Sequence, residues 1–170
     1  MGFLATSIVF LRKYGYNLWL WFDLMIPSIL FGLIILQLAN FMMQFSLGTP
    51  LGLDIPNDHS LAEYVEYRYR PTGFEAYQYF QPVALYQAFA YSIVFIISVL
   101  CLLINRKYKF LAEGTVFLFS VILMAIIRFG IGFMYFSVNK DMLLYPMQWI
   151  ALTVMIATVF IYIVKRFQHN

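Results

Sequence analysis

Charge is what this sequence has least of. Only 11% of its 170 residues are Asp, Glu, Lys or Arg, and 63% are apolar. Soluble domains carry roughly 25% charged and 45–50% apolar residues. So large an apolar excess cannot be buried in one soluble core of this size. Cysteine is nearly absent too. A lone Cys101 inside an apolar run excludes an internal disulfide framework and a thiolate metal cluster. Two histidines, His59 and His169, fall in different polar segments, which argues against a shared metal site or a Ser/His dyad. No glycine-rich phosphate loop is present. The net charge of +3 comes without a basic face, so nucleic acid is not an expected partner. Neither a metal nor a cofactor is expected.

Long apolar runs are what the chain has instead. A spanning helix needs about 20 mostly apolar residues. Four runs meet that length: Leu24–Leu47, Pro82–Ile104, Phe110–Val138 and Leu143–Val164. A shorter piece, Phe3–Leu11, predicts a short N-terminal helix that cannot span alone. It lacks the basic start and small-residue cleavage site of a signal peptide. Met1-Gly2 with Thr6 fits a loose myristoylation pattern, but an integral protein needs no acyl anchor. The expected fold class is therefore all-α: a polytopic helical bundle forming one membrane domain over residues 1–170, with a long external loop at 48–81.

Basic residues set the expected orientation. Arg12 and Lys13, then Arg106, Lys107 and Lys109, then Lys165 and Arg166 occupy alternate loops and the tail. These seven of the eleven basic residues mark the cytoplasmic side and place the C-terminus there. The loop 48–81 then lies outside. Its aromatics, Tyr64, Tyr67, Tyr69, Phe74, Tyr77, Tyr79 and Phe80, fit either an interfacial belt or a lid on the outer leaflet.

Polar side chains in hydrocarbon are costly, so each calls for a reason. Gln37, Asn40 and Gln44 fall on one face of the first run, and Gln87, Tyr91 and Ser98 on one face of the second. Gln148 lies early in the fourth run and Arg128 late in the third. At about 1.5 Å per residue, this set gathers in the outer half. Two readings stand. The amides are helix-to-helix hydrogen bonds and Arg128 snorkels outward, or the guanidinium fork holds a lipid phosphate. Gly130 and Gly132 offer a helix break beside it.

The order of these residues resembles the C-terminal half to two-thirds of the prolipoprotein diacylglyceryl transferase family. The similarity begins at Phe10-Leu11-Arg12-Lys13-Tyr14-Gly15 and Asp23-Leu24-Met25-Ile26-Pro27, the latter resembling the Asp that opens a family helix. It continues through Gln37-Leu38-Ala39-Asn40-Phe41-Met42-Met43-Gln44-Phe45-Ser46-Leu47-Gly48, similar to the signature Arg-x-Gly-Asn-Phe-x-Asn-x-Glu-x-x-Gly. Gln81-Pro82-Val83-Ala84-Leu85-Tyr86-Gln87 resembles His-Pro-x-x-Leu-Tyr-Glu. Gly114 precedes Arg128 at the family's Gly-to-Arg spacing, and Pro146-Met147-Gln148 resembles Met-Gly-Gln.

The departures are specific. Gln37 stands in place of an Arg. Ala39, Met43 and Phe45 stand in place of Gly, Asn and Glu, and Gln81 and Gln87 in place of His and Glu. Gly132 and Tyr135 stand where an acid and an Arg usually follow. The family's His-Gly-Gly motif has only a trailing echo in Gly2-Phe3-Leu4, as expected of a truncated member.

The resemblance implies a bacterial inner-membrane enzyme that moves diacylglycerol from phosphatidylglycerol to a prelipoprotein cysteine. It implies Arg128 as the catalytic cation on the phosphate. Gln37, Asn40, Gly48, Tyr86, Gln87 and Gln148 are implied as substrate-binding residues, and the prelipoprotein signal peptide as a second partner. The missing acid/base groups imply the alternatives, a lipid-binding or partner-binding homologue without catalysis, or a gene fragment.

Overall fold

The computed structural model describes residues 13–52, 61–135 and 146–169. The expected N-terminal helix and His59 lie outside them, as does the side chain of His169. Four long helices dominate: α1 (Leu18–Met42), α2 (Val83–Tyr108), α3 (Thr115–Ile131) and α4 (Pro146–His169). All four are long and apolar enough to cross a membrane. The bundle is inside-out in polarity. Asp23, Gln37, Gln87, Ser98, Ser120, Gln148 and Thr158 are buried, while Phe31, Phe89, Phe119, Phe160 and many aliphatic side chains face outward. That distribution suits lipid, where the polar groups of a span turn toward its neighbours. The protein is a multi-pass membrane protein.

The first span begins and ends earlier than the sequence predicts. Asn17 caps α1, its Oδ1 accepting from the Trp19 amide at 2.9 Å. The helix ends at Met42, not Leu47. Gln44 adopts a left-handed φ of 54°. The Phe45 amide donates to the Asn40 carbonyl, and the Gln44 amide to that of Phe41. These are the two bonds of a Schellman ending. Gln44 therefore leaves the face of Gln37 and Asn40, and its amide donates to the Tyr64 carbonyl at 2.6 Å.

The third span is shorter than the 110–138 expected. Lys109 ends α2 in a left-handed conformation, and Gly114 starts α3 at φ +79°. Between them Asn105 clamps the turn, accepting from the Leu111 amide at 2.8 Å and donating back to its carbonyl at 3.3 Å. At its far end α3 runs through Gly130 and tightens into a 3₁₀ turn over Gly132–Met134.

Asp23 does not open a helix. It sits inside α1 and caps α3. Its carboxylate accepts from the Gly114 amide at 2.5 Å and the Phe117 amide at 2.7 Å. Two donors that the helix start leaves unpaired are thus satisfied from a neighbouring helix. Nearby, Asn17 Nδ2 donates to the Glu113 carboxylate, and Lys165 Nζ of α4 lies 4.4 Å from the Trp19 ring centroid. The starts of α1 and α3 and the ends of α2 and α4 therefore meet at one end, the basic end of the bundle.

The long connection between α1 and α2 is folded. Strands β1 (Pro50–Gly52), β2 (Glu63–Tyr64) and β3 (Tyr79–Phe80) form an antiparallel sheet in the order β1-β3-β2. Arg70 clasps the segment between β2 and β3. Its guanidinium donates to the carbonyls of Val65 at 3.0 Å and Glu75 at 2.8 Å.

Candidate functional site

The sheet is sewn to the helix ends opposite the basic end. The Gly48 amide donates to the Gln81 carbonyl at 3.0 Å, and the Gln81 amide to that of Thr49 at 3.1 Å. The Thr49 amide donates to the Met134 carbonyl at 3.1 Å, and Gly48 bridges to Tyr135. Gly48 is where these chains cross. A Cβ there would lie 2.6 Å from the Gln81 carbonyl oxygen and 2.5 Å from Val83 Cγ2. Only glycine fits so close a backbone approach.

Beneath this crossing Gln87 is fully buried. Its Nε2 donates to the Tyr91 hydroxyl at 2.7 Å, and its Oε1 accepts from the Tyr135 hydroxyl at 2.9 Å. Tyr135 also lies within reach of the Arg128 charge. One amide thus ties two turns of α2 to the segment just beyond α3. Gln148 of α4 is buried against Gly132 and donates to the Phe129 carbonyl at 3.3 Å. Arg128 is half-buried, one N–H aimed at Met147 Sδ at 3.8 Å. A thioether is a weak acceptor. Among the described residues no carboxylate pairs with this guanidinium.

The predicted residues separate into groups. Gln87, Gly48, Gln148 and Arg128 converge around the end of α3, linked through Tyr135 and Gly132. Gln37 and Asn40 form their own pair on α1 at 3.3 Å. Tyr86 turns away from Gln87. It lines an apolar cavity with Ile34 and Leu38, its hydroxyl 3.4 Å from the Leu61 carbonyl. Tyr135 is the residue that sequence reasoning passed over, because it was compared with the Arg of the resembled family and not weighed as a hydroxyl. Its place just after Gly130 and Gly132 is the signal that could have found it.

Glu63 was also missed. It is buried in β2, and among the described residues neither carboxylate oxygen has a hydrogen-bond partner. Desolvation pushes its pKa up to about 7. In sequence it was one acid among several in a loop of mixed charge.

Chemically, the arrangement offers a guanidinium with no carboxylate partner among the described residues, beside neutral amides and hydroxyls. That suits an anionic group reaching in from the lipid.

The family-wide sequence pattern of prolipoprotein diacylglyceryl transferase matches residues 1–164. A phosphatidylglycerol–prolipoprotein diacylglyceryl transferase of Shouchella clausii (strain KSM-K16) is 31% identical over 131 residues, which is 77% of this chain. The match spans 44% of that relative's length. No solved structure matches. With the family pattern covering nearly the whole chain, and with the fold and polar cluster described above, the protein belongs to the prolipoprotein diacylglyceryl transferase family.

Proposed function

We propose that the protein binds phosphatidylglycerol at the sheet-covered end of the bundle and transfers its diacylglyceryl group to a prelipoprotein cysteine. The observation that carries this is Arg128, a half-buried guanidinium whose described side-chain contact is a thioether. Among the described residues no acid holds this cation, and a guanidinium so placed in a lipid-facing bundle is costly unless an anion completes it. In the reaction a thiolate attacks the glycerol carbon, the carbon–oxygen bond to phosphate breaks, and glycerol phosphate leaves. Arg128 stabilises charge developing on that phosphate. Gln37 and Asn40 orient the headgroup. Gln87 and Gln148 hold the end of α3, and with it Arg128, in place.

The basic turns support an orientation with this site facing outward and the C-terminus in the cytoplasm of a bacterial cell, in its inner membrane. The test is formation of a diacylglyceryl thioether when purified protein meets labelled phosphatidylglycerol and a lipobox peptide.

One observation favours a second reading. The thiol must lose a proton to attack. Both functional atoms of Gln87 are engaged with tyrosine hydroxyls, and an amide takes no proton at neutral pH. A homologue that binds lipid without catalysis would retain phosphatidylglycerol in an Arg128-dependent way and form no thioether.

A further inference from the structure

Two cavities meet at the basic end of the bundle, far from Arg128. The first, about 480 Å³, is an apolar slot along α3, reached by Cys101 of α2 and walled by Phe119 and Ile122. It exists because α2 and α4 both pack on α3 and hardly on each other. The second, about 250 Å³, is bounded by Lys165 and Arg166 at the end of α4. Phe110, Leu111, Thr115 and Tyr162 line both, so the slot opens into a basic mouth. No carboxylate lines that mouth, while two hydroxyls do.

Asp23 and Glu113 lie near enough to give Lys165 counter-charge, but neither lines the mouth, and Arg166 carries the charge that faces it. Asp23 is taken by the amides of Gly114 and Phe117, and Glu113 by Asn17. The Lys165 ammonium nitrogen is buried against the Trp19 ring, with no hydrogen-bond acceptor among the described residues. Arg166 is exposed at the same mouth. Phe119 and Tyr162 are nearly half exposed on the outer surface of the bundle, so the slot faces the bilayer and not a water-filled channel.

We infer that this slot and mouth bind an anionic phospholipid of the leaflet at the basic end, with an acyl chain along α3 and the phosphate between Arg166, Lys165 and the hydroxyls of Thr115 and Tyr162. An apolar helix of another protein would fill the slot but leave the exposed Arg166 and the two hydroxyls of the mouth unanswered. A soluble anion would answer the cations but leave the slot empty. A phospholipid does both, and its charge complements the mouth. The site is separate from the transferase reading. Thr115 and Arg128 are thirteen residues apart on one helix, about 20 Å along its axis. The two sites therefore serve opposite leaflets.

The test is photo-cross-linking of the full chain in phosphatidylcholine vesicles, using trace phosphatidylglycerol with a diazirine on one acyl chain and mapping adducts by mass spectrometry. Adducts are expected at Cys101, Phe119 and Ile122. Their yield should fall about fivefold with a phosphatidylcholine probe or with Arg166→Gln, the effect of one cation at an anionic surface. Ile122→Trp, which fills the slot, should remove them. Arg128→Ala should leave them unchanged while abolishing transfer, so this inference and the functional reading fail separately. Slot adducts indifferent to both headgroup and Arg166→Gln would overturn the inference. No adduct at Cys101, Phe119 or Ile122 with the phosphatidylglycerol probe would overturn it equally.

Discussion

The Tyr135 hydroxyl donates to Gln87 Oε1 across 2.9 Å, joining the end of α3 to a fully buried amide of α2. The same amide holds Tyr91. This side-chain chain, with the Gly48 crossing above it, anchors the segment that carries Arg128. Tyr135→Phe leaves a buried amide oxygen without its donor, at a cost of about 1–3 kcal/mol. Thermal unfolding in detergent should show the loss. The double variant Tyr135→Phe/Gln87→Leu should recover part of it, because an apolar pair has no orphaned acceptor.

Asp23 and Lys165 give a second, independent prediction at the other end. Asp23→Ala strips the Gly114 and Phe117 amides of their acceptor. A lost cap costs about 0.5–2 kcal/mol, and here the ammonium of Lys165 loses its nearby counter-charge as well. Asp23→Asn keeps one acceptor oxygen and should fall between wild type and Asp23→Ala in the same unfolding assay. Equal loss for both variants would show that charge, not capping, is what Asp23 supplies.

The covering sheet should be pH-sensitive through Glu63. Its folded pKa, about 7, lies above the ordinary 4.5. Between those values the folded loop holds more protons than the unfolded one, so its stability falls as pH rises from about 4.5 to 7 and then levels. The full span is at most about 3 kcal/mol. Hydrogen exchange of residues 61–80 should be slower at pH 5 than at pH 8, after correction for intrinsic rates. Glu63→Gln should flatten that difference.

Two glycines separate soft from hard contacts. A Cβ at Gly132 would meet the Gln148 side chain at 2.5 Å, whereas one at Gly48 would also meet a backbone carbonyl oxygen. A side chain can swing aside and a backbone crossing cannot. Gly48→Ala should therefore destabilise the protein more than Gly132→Ala. Gly132→Ala should mainly loosen α4, seen as faster exchange near Gln148.

The helices were legible because lipid imposes one rule along their whole length, and composition alone reports it. Their ends were less legible. Leu47 was expected inside the first span because Phe45 and Leu47 are apolar, yet Gln44 turns the chain three residues earlier through backbone bonds that carry no composition signal. Asp23 was visible as an oddity in an apolar run. Its partners lie on α3, and nothing local to Asp23 points to Gly114. The sheet was invisible because β2 and β3 have two residues each, too few for any alternation to show. Of the site, Gln87 and Gln148 were legible as buried polar groups in spans. Tyr135 was not, since a tyrosine near a membrane end ordinarily reads as an interfacial anchor.

The most direct measurement of the central proposal is diacylglyceryl transfer from labelled phosphatidylglycerol to a lipobox peptide, compared between wild type, Arg128→Lys and Arg128→Ala. If Arg128 holds the phosphate as charge develops, Arg128→Ala loses on the order of 10²–10³-fold in rate. Arg128→Lys, which keeps the charge but not the fork, retains an intermediate rate. Equal transfer by wild type and Arg128→Ala would contradict the account.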